Sequence, residues 1–70
     1  MMKLDNGAKV LAWKLEAGSD GEAVVLAHRP GFLPWVTWRA ARGEGEGWHC
    51  YAGRYFETEA EARQSFAERN

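Results

Sequence analysis

The chain of 70 residues has one Cys, two Pro and no long apolar run. A single Cys excludes an internal disulfide framework. No stretch approaches the ~20 apolar residues that a membrane-spanning helix needs. The opening MMKLDNGAKV has no apolar core of the signal-peptide kind, so a reduced, cytoplasmic setting is expected. Charge of one sign is also lacking. The formal net charge is -1, which favours neither nucleic acid nor an acidic partner in bulk. CxxC and HxxxH spacings are absent, which removes the usual zinc patterns. The Gly-x-Gly-x-Gly string at 43–47 lacks the Lys-Ser/Thr of a phosphate loop and carries Glu44 and Glu46, which would repel a phosphate.

What is present is concentrated. Residues 34–56 hold three of the four Trp, both Tyr, the Cys and four of the eight Gly. A chain this short buries only about 60% of the surface that its unfolded form exposes, so each core aromatic matters, and dimerisation is one route to added stability.

Residues 1–8 read as a polar lead-in, with Asn6-Gly7 as a turn or a loose end. Residues 9–16 alternate, with Leu11, Trp13 and Leu15 on one face, which argues a half-buried strand. The Leu11/Leu15 spacing alone would also suit a helix; the Gly18–Gly21 turn signal decides for a strand. Residues 22–29 form a second strand whose apolar run of Val24, Val25 and Leu26 predicts cover on both faces. Pro30 and Pro34 bracket a loop in which Phe32 and Leu33 either fold back on a core edge or form a secondary contact patch. Residues 34–41 form a third strand with Trp35 and Trp38 on opposite faces, one toward a helix and one toward the open side or edge. The 42–47 segment is a solvated turn. Residues 48–56 form a fourth strand, in which Gly53 predicts a bulge or a close backbone approach.

Thr58 and Glu61 form a capping box for a helix over 58–69, with Ala62 and Phe66 as its apolar stripe. Arg69 suits the negative end of that helix. The expected fold is α+β in one domain: a lead-in at 1–8, a four-stranded antiparallel meander at 9–56, and a helix at 58–69 packed on one face. The other face is left for solvent or a partner. Trp13, Trp38 and Phe66 are the expected core, with Phe66 over the sheet near Trp13 or Trp38.

Candidate chemistry is thin. Cys50 and His49 are adjacent, so on a strand they point to opposite faces and cannot pair; His28 on another strand is the one other candidate base, and a buried structural thiol is the expected state. Glu57, Glu59 and Glu61 are explained by the helix start. Neither a catalytic group, a metal site nor a cofactor is expected. The aromatic–arginine surface does fit recognition, because Trp, Tyr and Arg are the residue types of interface hot spots. The candidate binding residues are Trp35, Arg39, Arg42, Glu44, Glu46, Trp48, Tyr51 and Arg54, with Trp35 or Trp48 as aromatic anchor. A protein partner is the expected ligand, and pairing of two copies through a sheet edge is a further option. The alternative is a nucleic-acid platform on Trp35, Trp48 and Tyr51, where rings stack on bases and Arg contacts phosphate.

The string Trp35-Val36-Thr37-Trp38, then Gly53-Arg54-Tyr55-Phe56, then residues 62–69 (ARQSFAER) resembles a group of small bacterial and mobile-element proteins. Their chains end in a Gly-x-Tyr-Phe turn and an Ala-x-x-x-Phe-x-x-Arg helix. The resemblance covers about residues 34–69. Phage members of such groups include inhibitors of host defence, among them anti-CRISPR proteins. The resemblance therefore implies a single-domain, non-enzymatic protein that binds another protein as an inhibitor or accessory factor.

Overall fold

The computed structural model describes residues 3–15, 21–42 and 47–69. Four strands, β1 (Lys9–Leu15), β2 (Glu22–His28), β3 (Trp35–Arg42) and β4 (Trp48–Phe56), are followed by one helix, α1 (Glu59–Glu68). The strands form one antiparallel sheet in the order β1-β2-β3-β4, with α1 laid over β2, β3 and β4. This is the expected α+β meander. Residues 17–20 of the expected turn at 17–21, and residues 43–46 of that at 42–47, including Glu44 and Glu46, lie outside the described residues.

The register sorts the side chains. Val24 pairs with Arg39 and Leu26 with Thr37, and these face the helix; Val25 pairs with Trp38 and Ala23 with Ala40, and these face away. Residues 23–27 of β2 are buried throughout, because a central strand covered on both sides needs a continuous apolar run rather than an alternating one.

The helix-free face is not open. Leu4 forms a parallel bridge with Trp48. The Asp5 N–H donates to the Trp48 carbonyl and the Trp48 N–H to the Lys3 carbonyl, both at 3.0 Å. Gly7, at φ 79, turns the chain toward β1, and the Asn6 carboxamide accepts from the Ala8 N–H at 3.0 Å. Leu4 joins Ala23, Val25, Ala27, Val36, Trp38, Ala40 and Trp48 in one buried cluster, with Ala8, Val10 and Cys50 at its margin. The 3–8 segment is thus a strap that begins on β4 and ends at β1, and the polar lead-in expected there contributes a core leucine.

The fourth strand carries the expected irregularity. Thr37 pairs with Arg54 and Arg39 with Tyr51, so two residues of β4, Ala52 and Gly53, face Trp38 alone. Ala52 takes φ 54. A Cβ on Gly53 would lie 2.7 Å from Trp38 Nε1. The indole therefore lies directly on the glycine, and the bulge is what admits it.

The helix starts where its cap predicts. The Thr58 hydroxyl accepts from the Glu61 N–H at 3.3 Å and donates to the Glu61 carboxylate at 2.9 Å. The carboxylate thus closes the box on the hydroxyl, not on the cap N–H. Ala62 is buried, and Thr37 Oγ1 is 3.0 Å from Ser65 Oγ. Phe66 is half-buried beneath Lys14, whose Nζ is 4.8 Å from the ring centroid. Of the expected core, Trp38 is buried, whereas Trp13 is exposed and Phe66 only half-buried. Trp13 and Trp38 lie on the face opposite α1, so Phe66 meets neither.

Candidate protein-docking surface

Among the described residues the exposed large apolar side chains are Trp13 and Leu15 on β1, Phe32 in the β2–β3 loop, and the less exposed Tyr51 and Tyr55 on β4. Trp13 is 46% exposed and Leu15 54% exposed. They sit two apart on the helix-free face, opposite Val25 and Ala23, which are fully buried. The cause is topological. The first strand of a meander has only one neighbour, so its apolar residues are covered from one side. Expecting Trp13 in the core overlooked this, and the strand order was the signal that could have corrected it.

A second exposed ring stands at the other end of the sheet. Phe32 is 86% exposed in the β2–β3 loop, which the Arg29 N–H closes by donating to the Pro34 carbonyl at 3.0 Å. Gly31 at φ 122 and Leu33 at φ 54 set the shape of this loop. Leu33 is half-buried, while Phe32 stands in solvent.

The eight candidate binding residues do not form one surface. Trp35, Arg39, Tyr51 and Arg54 lie on the helix side, whereas Arg42 and Trp48 lie on the strap side. Trp48 is buried against Leu4, and the Arg42 guanidinium covers its ring at 5.2 Å, so it is a core residue and not an exposed anchor. Trp35 is half-buried, with its ring centroid 4.6 Å from that of His28. The Tyr51 hydroxyl donates to the Glu22 carboxylate at 2.7 Å. A stacking platform built from Trp35, Trp48 and Tyr51 would need all three on one side of the sheet, and the register divides them.

The helix side does carry a group of cations. Arg69 is only 8% exposed. Its Nη1 donates to the Thr37 carbonyl at 2.9 Å and to Thr37 Oγ1 at 3.2 Å, and its Nη2 to the Ala52 carbonyl at 2.7 Å. Burial, then the charges of Arg54 and Arg39, hold its guanidinium below the ordinary arginine value, and Tyr51 pulls the other way. Arg69 thus ties the end of α1 to the bulge of β4, a role that no local pattern indicated.

Cys50 sits on the strap side. Burial and the nearby Asp5 carboxylate push its thiol up to about 11, against a smaller opposing hydrogen bond from Asn6. At neutral pH the sulfur is protonated and a poor nucleophile. His49 is exposed on the other face, with Nδ1 3.4 Å from Asp5 Oδ2. Among the described residues no group of three or more His, Cys, Asp or Glu is placed to hold a metal ion, and no helix is long and apolar enough to cross a membrane. Comparison of the chain with protein-family models, with curated proteins and with solved structures gave no match.

Proposed function

We propose that this chain is a non-enzymatic protein-binding module that docks through the outer part of β1, with Trp13 and Leu15 as anchors. The observation that carries the reading is the pair of large apolar side chains, half in solvent and two apart on an edge strand. A neighbouring exposed pair of this kind is the ordinary mark of a contact site. Phe32, at the far end of the sheet, is a separate and smaller contact. The resemblance of residues 34–69 to small bacterial and mobile-element proteins, whose phage members include defence inhibitors, motivates a narrower form, inhibition of a host defence complex in the anti-CRISPR manner. The lone, protonated thiol suits a reducing, cytoplasmic setting.

A nucleic-acid reading draws on one observation, the approach of Arg39 and Arg54 to Arg69 beside Tyr51. Capture from bacterial lysate with and without nuclease separates the two, followed by a salt series on whatever is retained. A protein retained after nuclease, with shallow salt dependence, supports docking. Loss of all partners after nuclease, or a steep log-linear fall with salt, transfers the function to phosphate contacts.

A further inference from the structure

We infer that the β1 edge accepts an extended segment of a partner protein as a fifth antiparallel or parallel strand, and that this segment alternates apolar and acidic residues. The inference rests on the docking role proposed for Trp13 and Leu15, and adds the mode of binding and the chemistry of the partner.

An antiparallel sheet of four strands has two edges, and each presents a row of main-chain donors and acceptors. The β4 edge is already compromised. Its first residue is bonded to Lys3 and Asp5 of the strap, and the bulge at Ala52 and Gly53 breaks its regular spacing. On β1 a register shift falls between Val10 and Ala12, after which Ala12–Leu15 pair without interruption with Leu26–Ala23. That stretch has no Pro, and α1 lies over the other three strands. The outer edge of β1 is therefore the better template for strand addition.

The side chains on either side of that edge specify the guest. On the helix-free side an added strand meets Trp13 and Leu15, which calls for apolar residues at alternate positions. On the other side it meets Lys14, whose ammonium rests on Phe66, and near the strand start it meets exposed Lys9. The strand KVLAWKL contains two Lys and no acidic residue. The complementary guest therefore carries Glu or Asp at the intervening positions. The same charges argue against a second copy as occupant: pairing β1 with β1 assembles four Lys across one edge with no carboxylate from either strand.

The test uses the full chain and an acetylated, amidated octapeptide alternating Val and Glu, with an alternating Val and Lys octapeptide as control. Hydrogen exchange is followed amide by amide. With the Glu peptide, every second amide of β1 that exchanges freely in the unbound protein should gain about tenfold or more in protection, the alternation being the signature of a ladder. The Lys peptide should bind about tenfold more weakly, since opposed and like cross-strand charges differ by that order. Lys14→Glu should reverse the preference. Lys9→Glu, which leaves the contact with Phe66 in place, should narrow it. Equal binding of the two peptides overturns the charge argument, and so does the absence of alternating protection at millimolar peptide. Protection of the same amides that rises with protein concentration alone assigns the edge to a second copy and overturns the inference. None of these negative results touches docking by Trp13 and Leu15 side chains, which lysate capture with variants at those positions tests separately.

Discussion

Exchanging the residues of the β4 bulge should change stability in opposite directions at adjacent, exposed positions. A Cβ placed on Gly53 lies 2.7 Å from Trp38 Nε1, 2.9 Å from Trp38 Cδ1 and 3.0 Å from Tyr55 Cε1. Ordinary non-bonded contacts are about 3.5–4.0 Å, so the indole must move by about 1 Å. Trp38 is buried among Val25, Val36 and Ala40, and close-packed interiors give little room for such a shift. Gly53→Ala should therefore cost about 2 kcal/mol, within the range of overpacking substitutions. In a domain of this size that lowers Tm by about 8–16 °C. Ala52, one residue earlier, holds φ 54, where a side chain is strained and Gly is not. Ala52→Gly should be more stable than the parent by about 0.5–1 kcal/mol. Urea unfolding monitored by tryptophan fluorescence reads both. A Gly53→Ala variant within about 0.5 kcal/mol of the parent, the ordinary scatter for surface changes, would refute the contact with the indole. An Ala52→Gly variant that loses about 1 kcal/mol, as Gly does inside a regular strand, would refute the bulge.

Arg69→Ala should lower the urea midpoint by the equivalent of about 2–3 kcal/mol, because it strips a charged donor from the carbonyls of Thr37 and Ala52. Arg69→Lys should recover only part of this, since an ammonium cannot reproduce the fork. Phe66→Ala should cost about 2 kcal/mol by the same assay, below the ~3–5 kcal/mol of a fully buried Phe, because the ring is half-buried and packs under Lys14. Cys50 should react slowly with iodoacetamide at pH 7–8 and reach half of its limiting rate only near pH 11, where half of the folded-state thiol is ionised. The folded state holds this proton more tightly than the unfolded chain, whose thiol titrates near 9.0. The associated stability is therefore complete below that pH and is lost as pH rises toward 11. Cys50→Ala should flatten that part of the stability profile.

The strands and the helix could be read from local patterns because each was set by neighbours in sequence. Alternation in 9–15 and the broken alternation at Gly53 are two-residue effects, and the Thr58/Glu61 cap spans a single turn. The side of the sheet that each tryptophan faces was harder. Trp35 and Trp38 are three apart on a strand, so their opposition was legible. Which of them met the helix depended on where α1 came to rest. Leu4 was missed because one apolar residue in a polar segment has no period. Its burial comes from a bridge to Trp48, at the far end of the chain's β region. Arg69 suits the helix dipole on local grounds alone; its partners Thr37 and Ala52 are 32 and 17 residues away, beyond any local pattern. The candidate site suffered from the same limit. Tryptophan and arginine content pointed to 34–56, yet strand pairing buries Trp48 and leaves Trp13 in solvent. Composition identifies the residue types suited to binding, while sheet order and the 3–8 strap, which covers Trp48, decide which of them reach the surface.

The most direct test of the docking proposal is quantitative capture from nuclease-treated bacterial lysate by the parent, by Leu15→Lys and by Trp13→Ser, each first shown to be folded by its thermal transition. A protein should be retained by the parent and reduced about tenfold or more by each β1 variant, the scale expected for loss of an interface anchor. Tyr55→Ser, which removes an exposed ring on the far strand, should leave capture unchanged. Equal retention of that protein by the parent and both β1 variants would place the contact elsewhere and contradict the assignment.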